Sequence, residues 1–131
     1  MEINILAVIL AALAAFFLGF IWYTVVFAKP WQKEIGMKAD AGGAETPNLG
    51  RLLIGSLLLE ILMAVMLAIL IGKDADGITG LSKGLAIGLG IVAPAFGVNY
   101  MFEGKSLKLW LINASYNALV VSVMGLIIGL L

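Results

Sequence analysis

One acid stands deep inside a hydrophobic segment of this chain: Glu60, within the apolar run from Leu52 to Ile71. A charged group in hydrocarbon is costly, so an ionisable residue at that depth marks a candidate functional site. Further along, Asn113, Tyr116 and Asn117 follow one another at i, i+3 and i+4, a spacing that puts all three on one helix face. Asn99 and Tyr100, with Trp22 and Tyr23, lie nearer the ends of their own apolar runs and extend the polar set toward water. A carboxyl among amides and phenols can exchange a proton or hold a cation, and so couple to a small-molecule or ion ligand. The same residues also fit a plainer role, in which a neutral Glu60 is hydrogen-bonded between helices and fastens them. Magnitudes do not choose between the two. A central acid costs ~3 kcal/mol on the insertion scale, and the ~13 Leu, Ile and Val of that run supply roughly 0.3–0.6 kcal/mol each.

The elements that must position these residues are membrane helices. Of 131 residues, 63% are hydrophobic and 12% charged, against about half and a quarter in soluble domains. The excess falls in four uninterrupted blocks, near Ile3–Phe27, Arg51–Ile71, Leu81–Phe102 and Leu107–Leu131. Each is long enough to cross a bilayer, and backbone in lipid must satisfy its own hydrogen bonds, which such runs do as helices. The expected fold is therefore all-α, an integral membrane bundle of four transmembrane helices forming one membrane domain over residues 1–131. The first block reads as a retained helix rather than a signal peptide: Glu2 stands where a basic n-region would, and the run continues past Ala14.

Helical rise sets the depths. Glu60 lies nine residues after Arg51, ~13 Å into the membrane, while Asn113 and Asn117 lie ~12 and ~18 Å past Lys105. Both boundaries are on the same side, so a bond from the Glu60 carboxyl to one of the two asparagine amides is the expected contact. Ser56, Ala64 and Ala68 share the Glu60 face and should turn it inward. Ala7, Ala11, Ala15 and Gly19 line the first helix, Gly84 and Gly88 the third. Gly125 and Gly129 line the fourth, with Ala114, Ala118 and Ser122 on a second row. Such rows let backbones approach closely in lipid. Pro94 removes the helical partner of the Gly90 carbonyl and predicts a kink. Trp22, Tyr23, Trp31, Tyr100 and Trp110 cluster near one boundary, where an aromatic belt is expected. Gly19–Tyr23 and Gly97–Tyr100 echo each other at the ends of two parallel helices, too briefly to mark a repeat.

The loops set orientation. Ala28–Gly50 is the longest, opening with a short interfacial helix from Pro30 that ends at Gly36, then a mobile stretch from Lys38 to Gly50. Gly72–Gly77 is a polar turn, and Glu103–Ser106 a tight connection between the last two helices. Lys29, Lys33, Lys38, Arg51, Lys105 and Lys108 fall on one side, against Lys73 and Lys83 on the other. The positive-inside rule then puts the first and third loops in the cytoplasm and both termini outside, although a bias of six to two leaves dual insertion open.

The absence of Cys and His removes thiol chemistry, disulfides and the usual zinc and haem ligation, so no metal or cofactor is expected. Zero net charge gives no reason for a nucleic-acid partner. Nothing resembles a nucleophile–base pair, which argues against an enzyme. The bilayer is the expected partner, with a homo-oligomer, since four short helices enclose little volume and a substrate path would form between subunits. Two functions follow: a structural or accessory membrane subunit, or a proton- or cation-coupled transporter using Glu60.

Asn4–Ala7, Gly19–Tyr23, Phe27–Trp31 and Gly36, followed late in the chain by Glu103–Ser106 and Leu109–Tyr116, resemble the domain-of-unknown-function 1761 family. The resemblance spans almost the whole chain and implies a small four-helix membrane protein of prokaryotes. It implies no reaction and no catalytic residue. Thr24-Val25 stand where family members often carry a proline, which predicts a straighter first helix.

Overall fold

The computed structural model describes residues 3–36 and 49–131. The stretch expected to be mobile falls mostly on residues outside these. Among the described residues there is no strand. Four helices are long and apolar enough to cross a membrane: a first span Ile5–Val26, a second Gly50–Ile71, a third Gly77–Glu103 and a fourth Leu107–Leu130. A short helix, Ala28–Ile35, follows the first span and closes at Gly36, whose φ of +79° is the left-handed geometry of a helix C-cap. The chain is an all-α membrane bundle. Its outward surface is largely apolar, with Phe17, Phe20, Leu58, Leu59, Leu62, Leu89 and Ile91 all exposed in the single chain, as lipid contact requires.

The ends of the spans are set by side chains. Asn4 caps the first span by accepting from the Ala7 N–H (3.1 Å), and its amide donates to the Leu131 carbonyl (3.2 Å), which joins the start of the first span to the end of the fourth. The third span starts at Gly77 rather than at Leu81. The signal for this is Asp76, whose carboxylate accepts from the Thr79 N–H at 2.8 Å. The Thr79 hydroxyl and N–H together hold the Asp76 carboxyl below the usual carboxylate range. Lys83 reaches back to the last carbonyls of the second span, Leu70 (3.2 Å) and Ile71 (3.3 Å), and so stabilises that C-terminus. At the opposite end Ser106 caps the fourth span through the Leu109 N–H (3.0 Å) and donates its hydroxyl to Glu34 (2.6 Å). That bond puts the first and third loops on one side of the bundle, as the alternation of four spans demands.

The fourth span is the post around which the others stand. Half of it is buried, far more than of any other span, and Val120, Val121 and Met124 are its fully buried side chains. The first span packs on it with its small-residue row, where Ala7, Ala11 and Ala15 are wholly buried. The third span approaches most closely, backbone to backbone. A Cβ added to Gly80 would run into the Gly125 carbonyl, one on Gly84 into the Val121 carbonyl, and one on Gly88 would lie 2.9 Å from the Ala118 Cα. The two glycine rows of the sequence thus face each other within one chain, extended by Gly77 and Gly80.

Neither long irregularity is a simple proline kink. The first span ends in a wide π-helical turn, Trp22–Val26, closed by the Phe27 N–H on the Trp22 carbonyl (2.8 Å). The third span carries another, Gly88–Val92, directly before Pro94. There the Ala93 N–H donates to Gly88 five residues back, and the helix resumes through Pro94. Wide turns of this kind absorb a local mismatch without ending the helix.

Gly84→Ala puts a methyl against the Val121 carbonyl, whereas Gly55→Ala meets nothing within 4 Å. G84A is expected to lower stability by about 1–3 kcal/mol as overpacking. G55A should leave it unchanged or raise it by up to about 1 kcal/mol. Unfolding in mixed micelles reads both.

Candidate functional site

Three spans bring their polar side chains to one level of the bundle. The fourth span supplies Asn113, buried, and it is the centre of the cluster. The Tyr23 hydroxyl, from the first span, donates to the Asn113 carbonyl oxygen at 2.6 Å. The Asn113 amide nitrogen donates to the Tyr100 hydroxyl, from the third span, at 2.7 Å. Both ends of one amide are thereby bonded to different helices. Two indoles add to this. The Trp22 N–H donates to the Ile112 carbonyl (3.2 Å) and the Trp110 N–H to the Ala93 carbonyl (2.9 Å). Tyr23 also stacks at an angle on Trp31 of the short helix, ring centres 4.9 Å apart, and meets Tyr116 edge-on at 5.1 Å.

Glu60 joins this cluster at its inner edge. It is half-buried on the face that carries Ala64 and Leu67 into the core, so the inward turn expected from Ser56, Ala64 and Ala68 is found. The polar neighbour of its carboxyl is the Tyr116 phenol, and no hydrogen bond joins Glu60 to an asparagine amide among the described residues. The expected Glu60–Asn pairing is therefore corrected. Asn113 is consumed by the two tyrosines, and the Asn117 amide donates back along its own helix to the Asn113 carbonyl at 2.8 Å. Tyr116 reaches its position through a notch in the first span, where Gly19 leaves room for the hydroxyl: a Cβ there would stand 2.7 Å from it. The hydroxyl donates to the Ala15 carbonyl at 3.4 Å. Glu60 Oε2 is buried with no hydrogen-bond partner. Asn99, placed in the set by sequence, is exposed on the outer face of the third span, and its side chain makes no hydrogen bond among the described residues.

The profile of a family described as Protein of unknown function (DUF1761) matches residues 6–129. The chain belongs to that family. No curated protein and no solved structure matches it.

In this DUF1761 protein, sequence reasoning named Tyr116 but missed Tyr23 and Tyr100 as partners of Asn113, because their depth alone matches an aromatic belt. The signal that could have found them is the short echo between the first and third spans. Gly19 makes room for Tyr116, and Gly97 makes room for Trp110, whose indole nitrogen would lie 3.1 Å from a Cβ there. The tyrosine after each glycine, Tyr23 or Tyr100, then takes one end of Asn113. Two parallel helices repeat one small motif because both face the same post. No group of three or more acidic residues able to hold a metal ion occurs among the described residues.

Tyr23→Phe and Tyr100→Phe each leave one end of a buried amide unpaired and should cost about 1–3 kcal/mol. In an Asn113→Leu background the same changes should cost much less, because the amide they served is gone. A double-mutant cycle on unfolding in micelles measures the difference.

Proposed function

We propose that this DUF1761 protein is a structural or accessory multi-pass subunit of the cytoplasmic membrane that works as a homo-oligomer and performs no catalysis. One observation carries the reading: the amide of Asn113 is bonded at both ends, tying the first, third and fourth spans together. A transport site needs polar groups left over for a passenger. Here Asn113, Asn117, Tyr23, Trp22 and Trp110 are all spent on helix-to-helix or backbone bonds. A groove of about 310 Å³ does exist, between the third and fourth spans, but it takes in none of Glu60, Tyr116, Asn113 or Asn117. Its partners on this reading are the bilayer and further copies of itself, with no nucleic acid, metal or cofactor.

A second reading, proton- or cation-coupled transport of a small molecule, draws on the buried, unpartnered Glu60 Oε2 beside Tyr116. A Glu that served only to fasten helices would have both oxygens engaged. Glu60→Gln keeps the shape and removes titration. On the accessory reading E60Q leaves the oligomer and its thermal stability close to wild type, and proton flux in proteoliposomes stays at the level of empty vesicles for both. A pH-driven flux that wild type supports and E60Q loses would decide for transport.

Orientation follows the cation count, with the first and third loops in the cytoplasm. Because the chain has no Cys, a single Cys at Lys105 or at Asp74 can be labelled cleanly in intact cells. Impermeant maleimide should modify the Asp74 position and spare the Lys105 position.

A further inference from the structure

The first and third loops meet at one end of the bundle, and the short helix Ala28–Ile35 is fixed there at both of its ends. It follows the first span directly, and Glu34, in its last turn, accepts the Ser106 hydroxyl at 2.6 Å at the start of the fourth span. Midway along it, Trp31 lies against Tyr23 with ring centres 4.9 Å apart. A helix tied to two span ends lies along the membrane surface instead of projecting from it. Trp31 and Glu34 take the face toward the bundle. Lys29 and Lys33, one turn apart, share another face, and both are exposed.

The third loop adds Lys105, and the first turn of the fourth span adds Lys108, both exposed. None of these four lysines makes an ion pair among the described residues. Two described acids share this end, and one of them, Glu34, is engaged by Ser106. The lysines stand where the spans end, at Val26, Glu103 and Leu107, which is the level of phospholipid headgroups. Directly on the membrane side of them the surface is apolar and open. Val25 and Val26 precede the short helix, and Met101 and Phe102, 83% and 90% exposed, precede the third loop.

A ligand that matches both layers needs an acidic head and hydrocarbon tails. An inorganic anion or an acidic soluble peptide meets the lysines and leaves the apolar residues bare. A zwitterionic lipid covers the apolar residues but brings a cation of its own to the lysines. We propose that this end of the bundle binds acidic phospholipids, with anionic headgroups held by Lys29 and Lys33 on the short helix and by Lys105 and Lys108 beside it, and acyl chains along Val25, Val26, Met101 and Phe102. The contact goes beyond the accessory reading and does not depend on it, since none of these residues belongs to the polar cluster.

The test titrates the full chain, in neutral detergent micelles, with phosphatidylglycerol or phosphatidylcholine. Native mass spectrometry counts bound lipid, and thermal unfolding is followed alongside. Phosphatidylglycerol should bind and raise the unfolding temperature, phosphatidylcholine at the same concentration should do neither, and added salt should weaken the effect. Each lysine near an anionic surface is worth about fivefold in affinity. Lys29→Gln with Lys33→Gln, or Lys105→Gln with Lys108→Gln, should therefore weaken phosphatidylglycerol binding roughly 25-fold. Because these side chains are exposed, both paired variants should unfold like wild type when no lipid is added. Lys73→Gln, at the opposite end of the bundle, should leave binding unchanged. Equal binding of the two lipids, or phosphatidylglycerol binding untouched in both paired variants, overturns the proposal. So does K73Q acting as strongly as the pairs, or protection by inorganic phosphate equal to that by phosphatidylglycerol, which would mark a site for free anions.

Discussion

A polar group inside a bilayer has no water to turn to, and every feature of this chain answers to that constraint. Backbone is satisfied by helix formation, which fixes the fold. Helix ends are satisfied by Asn4, Asp76, Lys83 and Ser106, each reaching the termini of its own or a neighbouring span. The interior side chains are satisfied by one another, and the buried Asn113 amide is where the bonds converge. Among the described residues what is left over is small: one buried oxygen of Glu60 has no hydrogen-bond partner, and the exposed Ser115 makes no side-chain hydrogen bond. Within the hydrocarbon, those remainders are where function or association must be sought.

Close approach makes the bonding geometry attainable. A tyrosine hydroxyl reaches an amide on a neighbouring helix only if the two backbones are near enough. The glycine seam between the third and fourth spans and the alanine row of the first provide this. The two cannot be separated energetically. Packing alone would leave Asn113 unpaired, and hydrogen bonds alone would lack the contact that holds the helices in register. Glycine notches at Gly19 and Gly97 show the link most directly, since each receives an aromatic side chain of the fourth span beside the tyrosine that bonds Asn113.

The fold was legible because hydrophobic run length is a strong physical signal, and the Glu60 face was legible because Ala64 and Ser56 recur on it. The third span was read four residues short because Ile78-Thr79-Gly80 carries little hydrophobic signal and its start depends on the Asp76 cap. The partner of Glu60 was not legible. Depth placed two asparagines and a tyrosine within reach, and only the rotation of the fourth span, set by packing, selects Tyr116. Tyr23 and Tyr100 were hidden for the opposite reason: their depth has an ordinary explanation at the membrane boundary. Asn99 was misplaced because position along a helix gives depth but not facing. The wide turn at Trp22–Val26 has no local sequence signature, whereas the one at Gly88–Val92 lies where Pro94 announces an irregularity, of which the sequence shows the place but not the form.

The central claim is that the polar cluster is dry and spent on holding helices together. The side-chain amide of Asn113, observed by nitrogen-15 NMR in lipid nanodiscs, tests it most directly. Its protons should exchange slowly with water, and the resonance should move when Tyr100 is replaced by Phe. Rapid exchange with bulk water, or a resonance indifferent to Tyr100→Phe, would contradict the account and identify the cluster as a hydrated path.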